Sequence, residues 1–173
     1  MLEMREFSQK VIKSELIKNN HQLFIDKCNQ AYQKIITLIK SRDTTWNYSF
    51  YNIFTITAGD KYFYQLFKEL KNIIKEYHKK DEPLWFQCWL NYHSDNQVLD
   101  WHDHQWLWHG YISIDPKETK TIFENGFEVK NEIGNIYIGP CNIKHKVVVN
   151  KPYFGHRITL GFDVISVPDY PIN

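Results

Sequence analysis

After Asp81-Glu82-Pro83 the chain becomes a succession of short β-type runs, at 84–92, 98–104, 107–114, 119–123, 127–129, 136–138, 145–149 and 157–167, separated by turn-forming residues. About eight such runs is the count of a jelly roll made of two facing antiparallel sheets. Asn125-Gly126 is a strong hairpin signal within this series, and Glu132-Ile133-Gly134-Asn135 a weaker one. Aromatic residues make up 16% of the chain, with six Trp and eleven each of Tyr and Phe. Flat side chains in that quantity suit a ring-lined interior between sheets.

The part before Pro83 reads differently. Phe24, Cys28, Ala31, Ile35 and Leu38 recur at spacings of four and three, which predicts an amphipathic helix over 21–40. Residues 1–20 mix apolar and charged types and fit either a strand or a short helix. The aromatic and β-branched stretch 46–57 reads as a strand. Ala58-Gly59-Asp60 then turns the chain and offers Asp60 as the cap of a second helix running to about His78, with Phe63, Leu66, Phe67, Leu70, Ile73, Ile74 and Tyr77 on one stripe. The expectation is a mainly β fold with flanking helices: a single domain over 1–173, with a helical and strand part at 1–82 and a jelly-roll core at 84–167. Its 173 residues are enough to bury one compact core.

A formal charge of +1 gives no general field to draw the protein to phosphate backbones or anionic membranes. Cys28, Cys88 and Cys141 are widely spaced and form no Cys-x-x-Cys pair, which suits reduced thiols in a cytoplasm. No apolar stretch approaches membrane-spanning length. A cytoplasmic protein is expected.

Within the β-rich part, Asp100-Trp101-His102-Asp103-His104 concentrates metal-binding side chains. A strand sends residues i and i+2 to one face, so His102 and His104 can present both imidazoles to one ion, while Asp103 between them points away. His145 offers a third imidazole on another run, and Arg157 lies beyond it. Two close ligands, a distant third and then a cationic fork suit a site that holds a metal and a chelating dianion. Arg157 would take a carboxylate bidentately, and Thr159 on the same strand face could donate a hydroxyl hydrogen bond.

These residues carry a resemblance. Val98-Leu-Asp-Trp-His-Asp-His-Gln, His109-Gly-Tyr-Ile-Ser-Ile, Gly134-Asn-Ile-Tyr-Ile-Gly-Pro-Cys-Asn-Ile-Lys-His145 and Arg157-Ile-Thr-Leu-Gly-Phe-Asp together resemble the core of the iron(II)- and 2-oxoglutarate-dependent oxygenases. The small His-x-His versions, many from bacteria and phages, are the most similar, and the resemblance spans roughly residues 86–164. Gln87-Cys88-Trp89-Leu90-Asn91 looks like the strand before the first ligand. The resemblance implies a double-stranded β-helix, a cupin-like jelly roll, with helices on one outer face. It further implies Fe(II) on His102, His104 and His145, 2-oxoglutarate held by Arg157 and Thr159 with Asn91 as a further contact, and O2 as oxidant. The activity implied is hydroxylation of an unactivated C–H bond with release of succinate and CO2. Most of the superfamily has His-x-Asp or His-x-Glu where this chain has His104, so Asp103 and Asp100 stay open as alternative carboxylate ligands.

Other readings compete. His93-Ser94-Asp95 matches His-x-Asp literally but sits in a turn-like stretch. Asp100 suits an outer role, accepting the second N–H of a metal-bound imidazole. For His21, His78, His93 and His156 the expectation is structural, and His109 is open between structure and substrate contact. Trp85, Trp89, Trp101, Trp106 and Trp108 are read as core. A cupin-type metal enzyme without 2-oxoglutarate would use the same histidines, with Arg157 in a structural ion pair, and a non-catalytic ligand-binding jelly roll would need no metal. A small molecule, a protein side chain and a nucleotide are all open as substrate.

Overall fold

The computed structural model describes residues 8–39, 50–94, 97 and 99–166. Along the chain run β1 (Lys10–Lys13), α1 (Glu15–Asn19), α2 (His21–Ile39), α3 (Ile53–Ile56), α4 (Lys61–His78), β2 (Leu84–Ser94), β3 (Trp108–Asp115), β4 (Thr119–Phe123), β5 (Glu128–Lys130), β6 (Asn135–Pro140), β7 (His145–Val149) and β8 (His156–Ser166). They form a five-stranded sheet in the order β1-β6-β3-β8-β2 and a three-stranded sheet in the order β5-β4-β7, with every pairing antiparallel. Tyr111 and Tyr137 of the larger sheet pack on Phe123 and Val129 of the smaller, so the two sheets face each other as a double-stranded β-helix. Among the described residues no helix is long and apolar enough to cross a membrane.

The N-terminal part holds a strand and a short helix in succession where the sequence left the choice open. Ser14 caps α1 by accepting from the Ile17 N–H at 3.3 Å. Asp60 caps α4 as expected, accepting from the N–H groups of Tyr62 at 2.9 Å and Phe63 at 3.0 Å. Lys27 of α2 pairs with the same carboxylate and ties the two long helices together. Both apolar stripes are largely buried in the core shared with the larger sheet, although Leu38 in the last turn of α2 is exposed and Phe67 of α4 is half-buried.

Two expected strands are not strands. Residues 46–49 of the stretch 46–57 lie outside the described residues, and Ile53–Ile56 is a short helix. Asn52 caps it by accepting from the Phe54 N–H at 3.1 Å, and Phe54 packs edge-on against Phe67 and Phe86. Aromatic and β-branched content signals a half-buried surface rather than an extended backbone, and here a local cap decides the conformation. In the stretch 98–104, residue 98 lies outside the described residues, and the rest makes a single antiparallel bridge, His102 to His145. Val147 also donates to the Leu99 carbonyl at 3.2 Å, so this segment runs beside β7 where a fourth strand of the smaller sheet would lie. The Asp100 carboxylate accepts from the Trp101 N–H at 2.8 Å, a local bond that diverts the backbone from a continuous ladder.

Alternation along β8 divides the molecule into a dry side and a polar side. Ile158, Leu160, Phe162 and Val164 join the core shared with α2 and α4, while Arg157, Thr159, Gly161 and Asp163 face the space between the sheets. Two glycines allow rings to lie flat on the sheet. A Cβ on Gly110 would stand 2.1 Å from the Phe162 ring, and one on Gly161 would stand 2.5 Å from the Trp89 indole.

Candidate functional site

The space between the sheets contains a cavity of about 370 Å³. At one end the segment 99–104 and β7 present His102, His104 and His145, with one ring nitrogen of each within 4.8 Å of the others. The backbone explains the convergence. His102 and His145 exchange both N–H···O bonds, at 3.1 and 2.9 Å, and the His104 N–H is held by the Cys141 carbonyl at 3.0 Å. His102 and His104 reach the same space although their segment is not a regular strand.

Each of the three rings has its Nδ1 beside an oxygen acceptor. His102 donates to the Asp100 carbonyl at 2.7 Å, His145 to the Ile143 carbonyl at 3.3 Å, and His104 to the Asp163 carboxylate, 3.0 Å from Oδ1 and 3.2 Å from Oδ2. Those bonds fix the tautomer that leaves Nε2 as the lone-pair nitrogen, the form a metal requires. The Nε2 of His104 is buried and has no partner. Burial, reinforced by neighbouring imidazoles, pulls His145 down to about 2 and lowers His102, so both stay neutral at ordinary pH. The donor set therefore fits a divalent transition metal.

The outer partners differ from expectation. The side chain of Asp100 is turned to its own backbone, and only its carbonyl meets His102; the carboxylate that accepts from a candidate ligand is Asp163. Asp163 is 1% exposed and also takes the Nδ1–H of His109 at 3.0 Å. Burial opposes its charge, but the two imidazole donors win and hold it at about 2. His109 stacks on His104 with ring centroids 3.6 Å apart. A second group of metal-competent side chains, His104, His109 and Asp163, is thus already closed by hydrogen bonds among its own members. Asp103 is exposed at the cavity mouth and belongs to neither group.

The other end of the cavity holds Arg157, Thr159 and Asn91. The register pairs Asn91 with Thr159 and His93 with Arg157 across β2 and β8, which puts all four on the inner face. Trp89 Nε1 donates to Asn91 Oδ1 at 3.0 Å, and Asn91 Nδ2 donates to Thr159 Oγ1 at 3.2 Å, a bond that leaves the threonine proton to donate elsewhere. Arg157 is 3% exposed, donates to His93 Nδ1, and has a buried Nε without a partner. Burial lowers its pKa, and Tyr153 is a second neutral neighbour. Among the described residues no carboxylate pairs with it.

His93 accepts from the guanidinium, and burial followed by that cation pulls it to about 3. Its literal partner in His-x-Asp, Asp95, lies outside the described residues. His109, which the sequence left open between structure and substrate contact, faces the cavity, as do Asp163 and Tyr111, which were missed in the sequence. One signal could have found Asp163: it follows Arg157 and Thr159 at period two on an otherwise apolar run. Of the tryptophans, Trp108 is core, Trp89 and Trp106 line the cavity, and Trp85, Trp101 and Trp106 are substantially exposed.

Among solved structures, a prolyl-4-hydroxylase from Pseudomonas putida superposes over 95% of this chain and 91% of its own, with a TM-score of 0.60 and 9% identity. A 2OG-Fe(II) oxygenase family oxidoreductase from Burkholderia pseudomallei overlaps over 62% of this chain and 58% of its own, with a TM-score of 0.49 and 10% identity. A cupin superfamily protein from Desulfitobacterium hafniense overlaps over 50% and 71%, with a TM-score of 0.38 and 14% identity. No family model matches the sequence, and no curated protein matches it. The likeness to the hydroxylase is one of fold.

Proposed function

We propose that the protein is an iron(II)- and 2-oxoglutarate-dependent oxygenase that hydroxylates an unactivated C–H bond with release of succinate and CO2. The observation that carries this reading is Arg157, a buried cation with neutral partners and a buried Nε left unpaired, in the same cavity as the three converging imidazoles. A buried charge is costly unless an opposite charge meets it, so the cavity is built to receive an anion. The cupin alternative would put Arg157 in an ion pair, and among the described residues none is present. The fold shared with the hydroxylase supports the reading as well.

His102, His104 and His145 would hold the metal, which when bound supplies the activation of dioxygen that couples cosubstrate decarboxylation to hydroxylation. Arg157 would take the far carboxylate of 2-oxoglutarate through its planar fork, with the Thr159 hydroxyl donating beside it and Asn91 holding that hydroxyl in place. Trp89 on its glycine floor closes the inner wall and keeps water from the reacting end. Trp106, Gln105 and Asp103 are exposed at the mouth, where the substrate would enter, whether it is a small molecule, a protein side chain or a nucleotide.

The test is succinate formation by iron-loaded protein given 2-oxoglutarate and oxygen, read beside direct 2-oxoglutarate binding. Slow uncoupled turnover is expected without added substrate. Neither succinate nor binding would remove the proposal, and oxygen uptake independent of 2-oxoglutarate would favour the cupin-type enzyme.

A further inference from the structure

Three imidazole ligands bring no negative charge to a metal, whereas the common His-x-Asp pattern has a carboxylate where this chain has His104. A carboxylate nevertheless stands directly behind that ring. Asp163 is 1% exposed, and both its oxygens lie within 3.2 Å of His104 Nδ1. We infer that Asp163 supplies, through the His104 ring, the negative charge that the ligand set lacks, so that the charge of a His-x-Asp centre is kept with its carboxylate moved one residue outward. This rests on the metal-centre reading given above.

The placement is specific. Asp163 shares its Oδ1 between His104 and His109, whose ring lies 3.6 Å from that of His104 at an interplanar angle of 14°. Its backbone is fixed opposite His109 by the β3–β8 register and opposite Gln87 by the β2–β8 register. A charge-assisted N–H···O bond at Nδ1 pushes electron density through the ring to Nε2, the nitrogen left without a partner. Asp163 thus acts through His104 as a positioning residue, and it touches neither the metal position nor the anion end.

The inference has a signature that a merely structural role lacks, because charge acts with opposite sign on a cation and on an anion. Asp163→Asn keeps an acceptor oxygen of the same shape and removes the charge. The experiment uses the full chain, with Co(II) as the metal probe followed by its visible absorption, azide as the anion probe on cobalt-loaded protein, and circular dichroism to verify folding. Cobalt affinity is expected to fall about 10- to 100-fold, the usual effect of losing an outer partner. Azide is expected to bind the remaining cobalt centre more tightly, since less negative charge offsets the ion. Asp163→Ser, smaller and equally neutral, carries the same two expectations and stands in where the Asn variant does not fold. Unchanged cobalt affinity, or cobalt and azide affinities falling together, would overturn the inference. Unaltered protein that takes up no cobalt would instead overturn the metal-centre reading itself, and this inference with it.

Discussion

The two faces of β8 share one backbone and differ in almost everything else. Toward the helices it presents Ile158, Leu160, Phe162 and Val164, packed with α2 and α4. Toward the smaller sheet it presents Arg157, Thr159, Gly161 and Asp163, none of which adds apolar side chain to the core. All eight positions are buried, yet the first set has no polar side-chain atom and the second holds a cation and an anion that are satisfied, where they are satisfied, by specific partners. Burial alone therefore does not separate packing from chemistry; the parity of the residue number along one strand does. Stability and site chemistry should accordingly respond to different variables.

Acid should strike the polar face hardest. His93, His109 and His145 are pulled from an ordinary 6.5 to about 3, 4 and 2, in each case first by burial. The unfolded chain takes up protons at these positions that the folded chain refuses, so stability is complete above pH 6.5 and falls as pH drops below it. Between pH 6.5 and 5 each residue should cost about 2 kcal/mol. Asp163, depressed to about 2 from 3.8, contributes stability that is lost only at lower pH. Urea unfolding of metal-free protein at these two pH values measures the sum, and a flat profile would contradict it.

On the dry face, Phe162→Ala should cost about 3–5 kcal/mol of folding stability. The metal affinity of the protein that remains folded should be unchanged, and a parallel loss of both would dissolve the distinction between the faces. Arg157→Lys keeps the charge but loses the planar fork, and should weaken 2-oxoglutarate binding by about 1–3 kcal/mol with metal uptake intact. Calorimetry on the metal-loaded variant decides it; unaltered affinity would return Arg157 to a structural role. The smallest effect is expected at His93→Gln, where another neutral acceptor replaces the imidazole and the change should stay under about 1 kcal/mol. His93→Asp, by giving Arg157 an anionic partner, should cost more, and equal affinities in the two variants would show that the guanidinium's lack of a counter-charge is irrelevant.

The same parity explains how far the sequence could be read. Runs of β-type residues gave the jelly roll, and period two placed Arg157 and Thr159 on one face of a strand; the strand order and the pairing of Asn91 with Thr159 come only from the register of the sheet. The gathering of His102, His104 and His145 was legible from spacing, although the backbone that achieves it is a bridge beside β7 and not a strand. Asp163 escaped, and the role of His109 stayed open, because their partnership exists only across the β3–β8 register, which spacing along the chain does not encode. The short helix at 53–56 escaped because a cap at Asn52 outweighed aromatic content that otherwise reads as strand.

Trp89 seated on Gly161 and Phe162 seated on Gly110 lie on opposite sides of the larger sheet, one across β2–β8 and the other across β3–β8. A one-residue slip of β8 during folding would exchange its faces, carrying Asp163 into the apolar core and Phe162 into the cavity. Each slipped arrangement would also bring a side chain under the Trp89 indole and move the Phe162 ring off its glycine, where a Cβ meets the ring at under 3 Å. The two glycines thus serve as steric checks on strand pairing, one for each neighbour of β8, and they reject the misthreaded sheet before any metal or cosubstrate is present to select the correct one.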